Sequence, residues 1–194
     1  MRASADKRTG TSLWQAARVV AAGLLFAAAA LRGYRVYIAR GQTMNLTSTS
    51  FQDGSHIPAK FTCSGAGLSP QLAWTAPPAA TASLALIVTD PDAPRGTWVH
   101  WVLYSLPAGT RALPEGLPAL GQLPDGALQG RNDFGKIGYG GPCPPPGSPH
   151  HYIFTLYALD AKLNLPAGEK RAQVEAAMKG HILASGRLVG LFQR

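Results

Sequence analysis

The chain has few charged residues, and few acidic ones in particular. Charged residues make up 14% of its 194 residues, with 10 Asp and Glu against 18 Lys and Arg. Residues 1–43 hold seven basic residues and one acidic residue, a net charge of +6, whereas residues 44–194 hold eleven basic and nine acidic residues, a net charge of +2. The second segment has no run of Lys and Arg with interleaved aromatics. The sequence therefore predicts no nucleic-acid partner.

Near the N-terminus, the apolar run is shorter than the roughly 20 residues that a membrane-spanning helix needs. Residues 19–31 (VVAAGLLFAAAAL) are uncharged and mostly apolar, with basic residues on both sides. The length and the basic residues before it are typical of a signal peptide, whereas the arginines after it favour an uncleaved N-terminal anchor. We therefore predict export to the periplasm or anchoring in the inner membrane, with membrane association through residues 13–31. The alternative is a translation start at Met44, which would make residues 1–43 an upstream extension and the protein cytoplasmic.

Cysteine is scarce as well, since Cys63 and Cys143 are the two in the chain. They are not spaced as a CxxC motif, which argues against a cysteine-based zinc site or a dithiol redox site. In an exported protein they are able to pair, and closing a loop of this length would contribute roughly 4.5 kcal/mol to stability. In a cytoplasmic protein two reduced thiols are expected. The sequence leaves both possibilities open.

Helical periodicity is rare after Met44, where short apolar or alternating runs are separated by Gly, Pro and Asp. This pattern is typical of one all-β or mainly β domain over residues 44–194. One helix is predicted at Ala167–Leu183, from apolar residues that share a face. Strands are predicted at Leu46–Phe51, Gln71–Thr75, Ser83–Thr89, Val99–Leu106, Tyr152–Leu159 and Arg187–Phe192.

Ionisable side chains stand at the ends of the most apolar predicted strands. Asp90 directly follows the run SLALIVT, His100 opens the strand that continues as WVLYSL, and His150 precedes YIFTLYAL. Buried strands that begin or end with such groups usually line a pocket or satisfy one another. Because strand residues alternate between faces, His150 shares a face with Tyr152 and is a better pocket candidate than His151.

Two enzymatic hypotheses use these residues. Asp90, His100 and His150 have the ligand types of a two-histidine, one-carboxylate metal site, which suits a metal-dependent hydrolase or oxygenase. Alternatively, Cys143 is a candidate nucleophile with a histidine as its base. The prolines on both sides of Cys143 limit the backbone donors near it, so the metal site is the stronger of these two hypotheses.

A non-enzymatic hypothesis is a small anion pocket. Its donors would be His100, His150, Tyr152 and the backbone amides of residues 138–141, because glycines allow close backbone approach. Asp90 would hold an imidazole in the required tautomer. The structural alternative is that Asp90 only forms a turn before a proline and that His100 is a core histidine.

Two ordered motifs carry a family resemblance. They are DPDAP at 90–94 followed by WVHW at 98–101, and GYGGPCPP at 138–145 followed by HHY at 150–152, with supporting matches at 61–63, 69–70, 132–135 and 158–160. Over Met44 to Arg194 the chain resembles the phosphatidylethanolamine-binding proteins, and more closely their bacterial Raf kinase inhibitor-like branch.

The resemblance implies a β-sandwich with an anion pocket at one end, to which the predicted helix Ala167–Leu183 adds a C-terminal helix. Carried over residue by residue, the pocket would consist of Asp90, His100, Pro144, His150 and Tyr152, with Gly141 supplying backbone and Asp92 and Trp98 in support. Many members have Arg between the histidine and the tyrosine of HxY. This chain has His151 there, so an ion pair made by that arginine is not expected.

Together these observations predict a non-enzymatic binding protein, monomeric or homodimeric, without a cofactor. Its ligand would be a small anion such as a phosphate-bearing head group, and the resemblance adds a protein kinase or protease that it inhibits as a partner. Because imidazolium binds anions better than imidazole, we predict tighter binding below about pH 6.5.

Overall fold

The computed structural model describes residues 42–194, so the predicted leader, including residues 13–31, lies outside the described residues except for Gln42 and Thr43. Within the described part, no helix is long and apolar enough to span a membrane. A short 3₁₀ turn covers Ala59–Phe61 and one α-helix, α1, covers Arg171–Met178. The strands are β1 (Gln42–Thr43), β2 (Leu46–Thr47), β3 (Ser55–His56), β4 (Leu72–Trp74), β5 (Ser83–Asp90), β6 (Trp98–Pro107), β7 (Ala112–Leu113), β8 (Leu128–Gln129), β9 (His150–Leu159) and β10 (Ile182–Phe192).

The strands form a larger and a smaller sheet. The larger sheet has the order β1-β10-β9-β5-β6-β8, with β3 also paired to β10, and the smaller sheet has the order β2-β4-β7. The long central strands are antiparallel, because β5 runs opposite to both β6 and β9. The C-terminal end of β5 therefore lies beside the N-terminal ends of β6 and β9, at the same end of the sheet.

The central strand β5 is buried on both faces, as its continuous apolar sequence predicts. Leu84 and Leu86 belong to the core cluster that also contains Leu72 of the smaller sheet. Ile87, on the other face, belongs to a second cluster with Val174 of α1. The larger sheet is therefore covered by the smaller sheet on one side and by the helix on the other, and burying each such aliphatic side chain contributes about 1.5–3 kcal/mol.

The structure corrects the predicted helix. Instead of Ala167–Leu183, the helix covers only Arg171–Met178. Gly168 before it and Gly180 after it have positive φ values of 88° and 85°, which lie outside the helical region. Two residues after Gly180 the chain becomes β10, so the final strand begins five residues before the predicted start at Arg187.

The predicted strand Leu46–Phe51 is also too long, since β2 ends at Thr47. Ser48 follows it, and its hydroxyl donates to the Gln71 carbonyl and accepts the Ser50 N–H. These side-chain bonds offer the backbone a turn in place of a strand ladder. The other predicted strands are found within two residues of their expected bounds, whereas the short strands β1, β3, β7 and β8 were not predicted.

Candidate functional site

A cavity of about 170 Å³ lies at the end of the sheet where β5 ends and β6 and β9 begin. Asp90, Trp98 and His150 reach it directly from these strand ends. The remaining wall comes from the loops after β5 and before β9 and from one exposed phenylalanine. Its lining residues are Asp90, Ala93, Pro94, Trp98, His100, Phe134, Cys143, Pro144, Pro145 and His150.

Asp90 and His150 form a contact pair in the wall of this cavity. Asp90 is 3% exposed, and its Oδ2 lies 2.7 Å from Nδ1 of His150. Its Oδ1 accepts the backbone N–H of Asp92 at 2.8 Å. Because a carboxylate only accepts, Nδ1 of His150 carries the hydrogen, which leaves Nε2 for a ligand. That nitrogen is an acceptor when the imidazole is neutral and a donor when it is protonated.

His100 reaches the cavity from a β-bulge. Val88 pairs with Trp101 and Thr89 pairs with Val99, so His100 has no partner on β5. Bulges redirect a side chain in this way and are common beside functional sites. The His100 side chain therefore turns into the end of the sheet.

The His100 ring is buried and held in one tautomer. The residue is 2% exposed, and its Nδ1–H donates to the Gly140 carbonyl at 2.6 Å. Burial lowers the pKa of His100 below its usual value of 6.5, although the Gly140 carbonyl and the Asp90 charge oppose that shift. The neutral ring therefore offers the lone pair of Nε2 as an acceptor.

Aromatic rings enclose the histidine. The His100 ring packs edge-on against Phe134 and Tyr152, with centroids 5.3 and 5.1 Å apart, and Trp98 packs against Phe134 at 5.4 Å. Tyr152 does not line the cavity but lies behind His100. Burial raises the pKa of the Tyr152 phenol above its usual value, so the hydroxyl keeps its proton.

Nε1 of Trp98, a buried donor beside the pocket, lacks a hydrogen-bond partner among the described residues, whereas the Tyr152 hydroxyl lies near the Asp90 carboxylate. A buried polar group without a partner costs about 1–3 kcal/mol, so such groups in a native protein call for an explanation. The Trp98 ring lines the cavity, but its Nε1 is not accessible from it.

The structure engages two of the predicted glycine amides elsewhere. The amides of Gly138 and Gly140 donate to the carbonyls of Gly130 and His100, at 3.3 and 2.8 Å, and are not free for a ligand. Gly141 lines a neighbouring cavity, and its backbone also contacts His100 of the pocket. Glycine is needed at 141 for packing, because a Cβ there would lie 2.8 Å from the Phe61 carbonyl oxygen.

The two cysteines form a disulfide, which decides a question that the sequence left open. The prediction of Cys143 as a nucleophile is therefore wrong, because its sulfur is bonded to Cys63. The Cys63 N–H also donates to the Pro142 carbonyl at 3.0 Å. These links fix the start of the segment whose Pro144 and Pro145 form one wall of the pocket.

The metal hypothesis finds no support in the geometry. Over residues 42–194, no group of three or more His, Cys, Asp or Glu side chains has an arrangement that could hold a metal ion. Both carboxylate oxygens of Asp90 are already engaged by His150 and by the Asp92 amide, and Nδ1 of His100 is engaged by Gly140.

Asp92 and His151 form a second pair outside the pocket. Oδ2 of Asp92 accepts the backbone N–H of His151 at 2.8 Å and lies 2.7 Å from its Nδ1. These bonds from His151, the backbone one first, lower the pKa of Asp92 below its usual value. His151 is exposed while His150 faces the pocket, in agreement with strand alternation. Asp92 supports the site through its backbone, by donating to Asp90.

Sequence reasoning missed Phe134 as a wall residue. Phe134 is 41% exposed although it is a large aromatic side chain. Its motif, NDFG at 132–135, supported the family resemblance but does not itself indicate a place in the pocket. The missed residues Ala93, Pro94 and Pro145 lie within or next to the two quoted motifs and are apolar, so no ionisable group marked them.

Comparisons with known proteins agree with this fold. Residues 47–193 match the family model for phosphatidylethanolamine-binding protein. A UPF0098 protein of Methanothermobacter thermautotrophicus is 48% identical over 151 residues, which cover 78% of this chain and 99% of the relative. The UPF0098 protein YbhB of Escherichia coli is 43% identical over 157 residues, which cover 77% of this chain and 99% of YbhB.

Two solved structures are similar over nearly their whole length. A phosphatidylethanolamine-binding protein homologue of Chlamydia trachomatis is 41% identical with a TM-score of 0.72, covering 78% of this chain and 98% of that one. E. coli YbcL, described as a new member of the mammalian PEBP family, is 34% identical with a TM-score of 0.72, covering 79% and 99%. These neighbours confirm the predicted mainly β fold. The chain belongs to the phosphatidylethanolamine-binding protein family, in the branch that includes bacterial YbhB.

Proposed function

We propose that this protein is a non-catalytic binding protein whose pocket receives a small phosphate-like anion. Family membership supports a binding protein without naming its ligand. The observation that carries the proposal is the contact between Asp90 and His150 in the cavity wall. It fixes the imidazole so that Nε2 is left for the ligand, and protonation makes that atom an N–H donor. Hydrogen bonds from a charged donor to an anion are about twice as strong as neutral ones.

The size and walls of the cavity suit a single small group. Its volume of about 170 Å³ compares with about 30 Å³ for one water in the liquid. Trp98, Phe134 and the prolines form apolar walls, which exclude water and strengthen the electrostatic contacts inside.

The charges that line the pocket should make anion binding depend on pH. Asp90 is acidic, so an anion enters favourably when His150 is protonated or when the ligand carries the proton itself. Neutral His100, with Nδ1–H on Gly140, presents an acceptor that suits a protonated phosphate oxygen. We therefore expect the affinity to rise as the pH falls, and the protonated form of phosphate to be preferred.

The test is a two-dimensional NMR titration of the protein with inorganic phosphate and with phosphorylethanolamine. Saturable shifts of the Asp90 and His150 amides and of the Trp98 indole would support the proposal. Signals near Leu163, at the far end of β9, serve as an internal control and should not move. An absence of shifts at millimolar ligand would contradict the anion pocket and favour the predicted kinase or protease inhibitor, which would use the same surface without a small ligand.

We also propose that the protein works in an oxidising compartment, as the predicted signal peptide or anchor implies. The disulfide between Cys63 and Cys143 supports this, because such bonds form and persist mainly outside the reducing cytosol. Mass spectrometry of the protein from its own cells, alkylated before reduction, tests it. Free thiols together with an N-terminus at Met44 would contradict it.

A further inference from the structure

A second cavity of about 350 Å³ lies next to the anion pocket. The two cavities share Phe134 and Cys143 as lining residues. The second one is also lined by Cys63, Asn132, Lys136 and Tyr139. One phenyl ring and the disulfide therefore form the boundary between the two spaces. A ligand that extends out of the first cavity over the exposed Phe134 ring would therefore reach the second.

The second cavity has an uncompensated cation. The Lys136 side chain is exposed and forms no ion pair with any residue between 42 and 194. The carboxylate on the same loop, Asp133, is directed towards β6, since its Oδ2 accepts the Val99 N–H at 2.7 Å, and it forms no ion pair with Lys136. The remaining walls are largely apolar or aromatic. This combination suits a ligand segment that is apolar along its length and anionic at its end.

The loop that carries Phe134 and Lys136 is held in place without a ligand. Asn132 is 2% exposed, and its Oδ1 accepts the backbone N–H groups of Phe134 and Lys136, both at 3.1 Å. Its Nδ2 donates to the Gly138 carbonyl at 3.0 Å. Such preorganisation reduces the entropy that a ligand must overcome on binding.

Phe134 is fixed on its other side as well. Its ring packs against Trp98 and His100 of the pocket, and a Cβ at Gly140 would lie 2.6 Å from it. Phe134 nevertheless remains 41% exposed, which leaves apolar surface that a ligand crossing the boundary would cover.

We propose that the second cavity is a subsite for an anionic extension of the ligand, with Lys136 as its charged contact. This inference rests on the proposed function, because the first anionic group occupies the pocket at Asp90 and His150. The ligand class is a molecule with two anionic groups joined by an apolar spacer that lies over Phe134.

Calorimetric titration of the full chain tests the subsite. The probes are α,ω-alkanediol bisphosphates with spacers of about four to eight carbons, together with the matching alkyl monophosphates. We expect the best bisphosphate to bind roughly tenfold more tightly than its monophosphate, more than the twofold statistical gain from having two phosphates. Lys136→Gln should remove this advantage and leave monophosphate affinity unchanged. Lys162→Gln, at an exposed lysine after β9, is the matched control and should change neither.

The outcomes separate the two proposals. If the monophosphates bind but no bisphosphate gains more than twofold, or if Lys136→Gln keeps the gain, the subsite is wrong while the anion pocket stands. If neither monophosphates nor inorganic phosphate bind at millimolar concentration, the proposed function is wrong and the subsite falls with it.

Discussion

Two aspartate–histidine pairs lie side by side in this protein and have the same contact geometry. In both, the Nδ1 to Oδ2 distance is 2.7 Å. The side chains of Asp90 and His150 are 4% and 13% exposed, whereas those of Asp92 and His151 are 41% and 55% exposed. The chemistry of the contact is therefore the same, and the environment differs.

The difference shows how environment assigns different roles to identical residue types. Adjacent residues on β9 point to opposite faces, so one histidine enters the cavity and its neighbour enters solvent. The buried pair leaves a single imidazole nitrogen available inside an apolar wall. The exposed pair, through the backbone and side-chain bonds from His151 to Asp92, ties the loop after β5 to the start of β9.

Removing the disulfide is the largest perturbation of the buried pair's surroundings. Cys63→Ser combined with Cys143→Ser should lower the free energy of unfolding by about 4.5 kcal/mol, because it releases a closed loop of some 80 residues. Urea denaturation measures this change. In NMR spectra, His150 should shift more than His151, since Cys143 lines the same cavity as His150. Equal shifts at both would show that the two environments are not distinct.

The next largest loss of stability is expected on substitution of an aspartate, and the two aspartates can be compared directly. Asp90→Ala should destabilise the protein by about 3 kcal/mol, because it leaves the largely buried His150 and the Asp92 amide without their acceptor. Asp92→Ala should cost less than about 1 kcal/mol, since exposed pairs are worth little. Both values come from chemical denaturation at neutral pH, and similar losses for the two variants would refute the distinction.

A smaller effect concerns acid stability. The lowered pKa of His100 means that the unfolded chain binds a proton more readily than the folded one. The contribution of neutral His100 to the free energy of unfolding is therefore fully present above pH 6.5. It is lost as the pH falls from 6.5 towards the folded-state pKa, by at most about 1.4 kcal/mol per pH unit for one proton. His100→Gln should flatten this part of the profile of unfolding free energy against pH. An unchanged slope would mean that His100 is not the group responsible.

The smallest effect is expected at the exposed pair. His151→Arg introduces the residue that the family resemblance leads one to expect between the histidine and the tyrosine of this motif. The backbone N–H to Asp92 is kept and the charged side chain stays in solvent, so stability should change by less than about 0.5 kcal/mol. Thermal unfolding with His151→Gln as the matched control measures this. A loss of more than 1 kcal/mol would assign the exposed pair a structural role that its burial does not indicate.

Long buried strands were predictable from the sequence, whereas short elements and helix ends were not. Ser83–Asp90 and His150–Leu159 have apolar runs whose length and composition identify them. The two-residue strands are too short to show a period of two. The helix ends depend on positive φ at Gly168 and Gly180, a backbone feature that an apolar pattern continuing through them conceals.

The pocket was predictable in its ionisable residues and not in its packing. Asp90, His100 and His150 stand at strand ends, where the antiparallel order of β5, β6 and β9 brings them together. The position of Gly141 and the pairing of the cysteines depend on how distant loops pack, which strand periodicity does not encode. The bulge at His100 is likewise absent from the pattern, because it is a register shift between two strands.

The measurement that tests the central claim most directly is the phosphate affinity of His150→Gln beside that of His151→Gln, by calorimetry near pH 6. The buried pair should account for binding, so His150→Gln should weaken phosphate by about tenfold or more, the loss of one charged hydrogen bond. His151→Gln should stay within about twofold of the wild type. Equal losses in both variants, or none in His150→Gln, would contradict the assignment of anion binding to the buried pair.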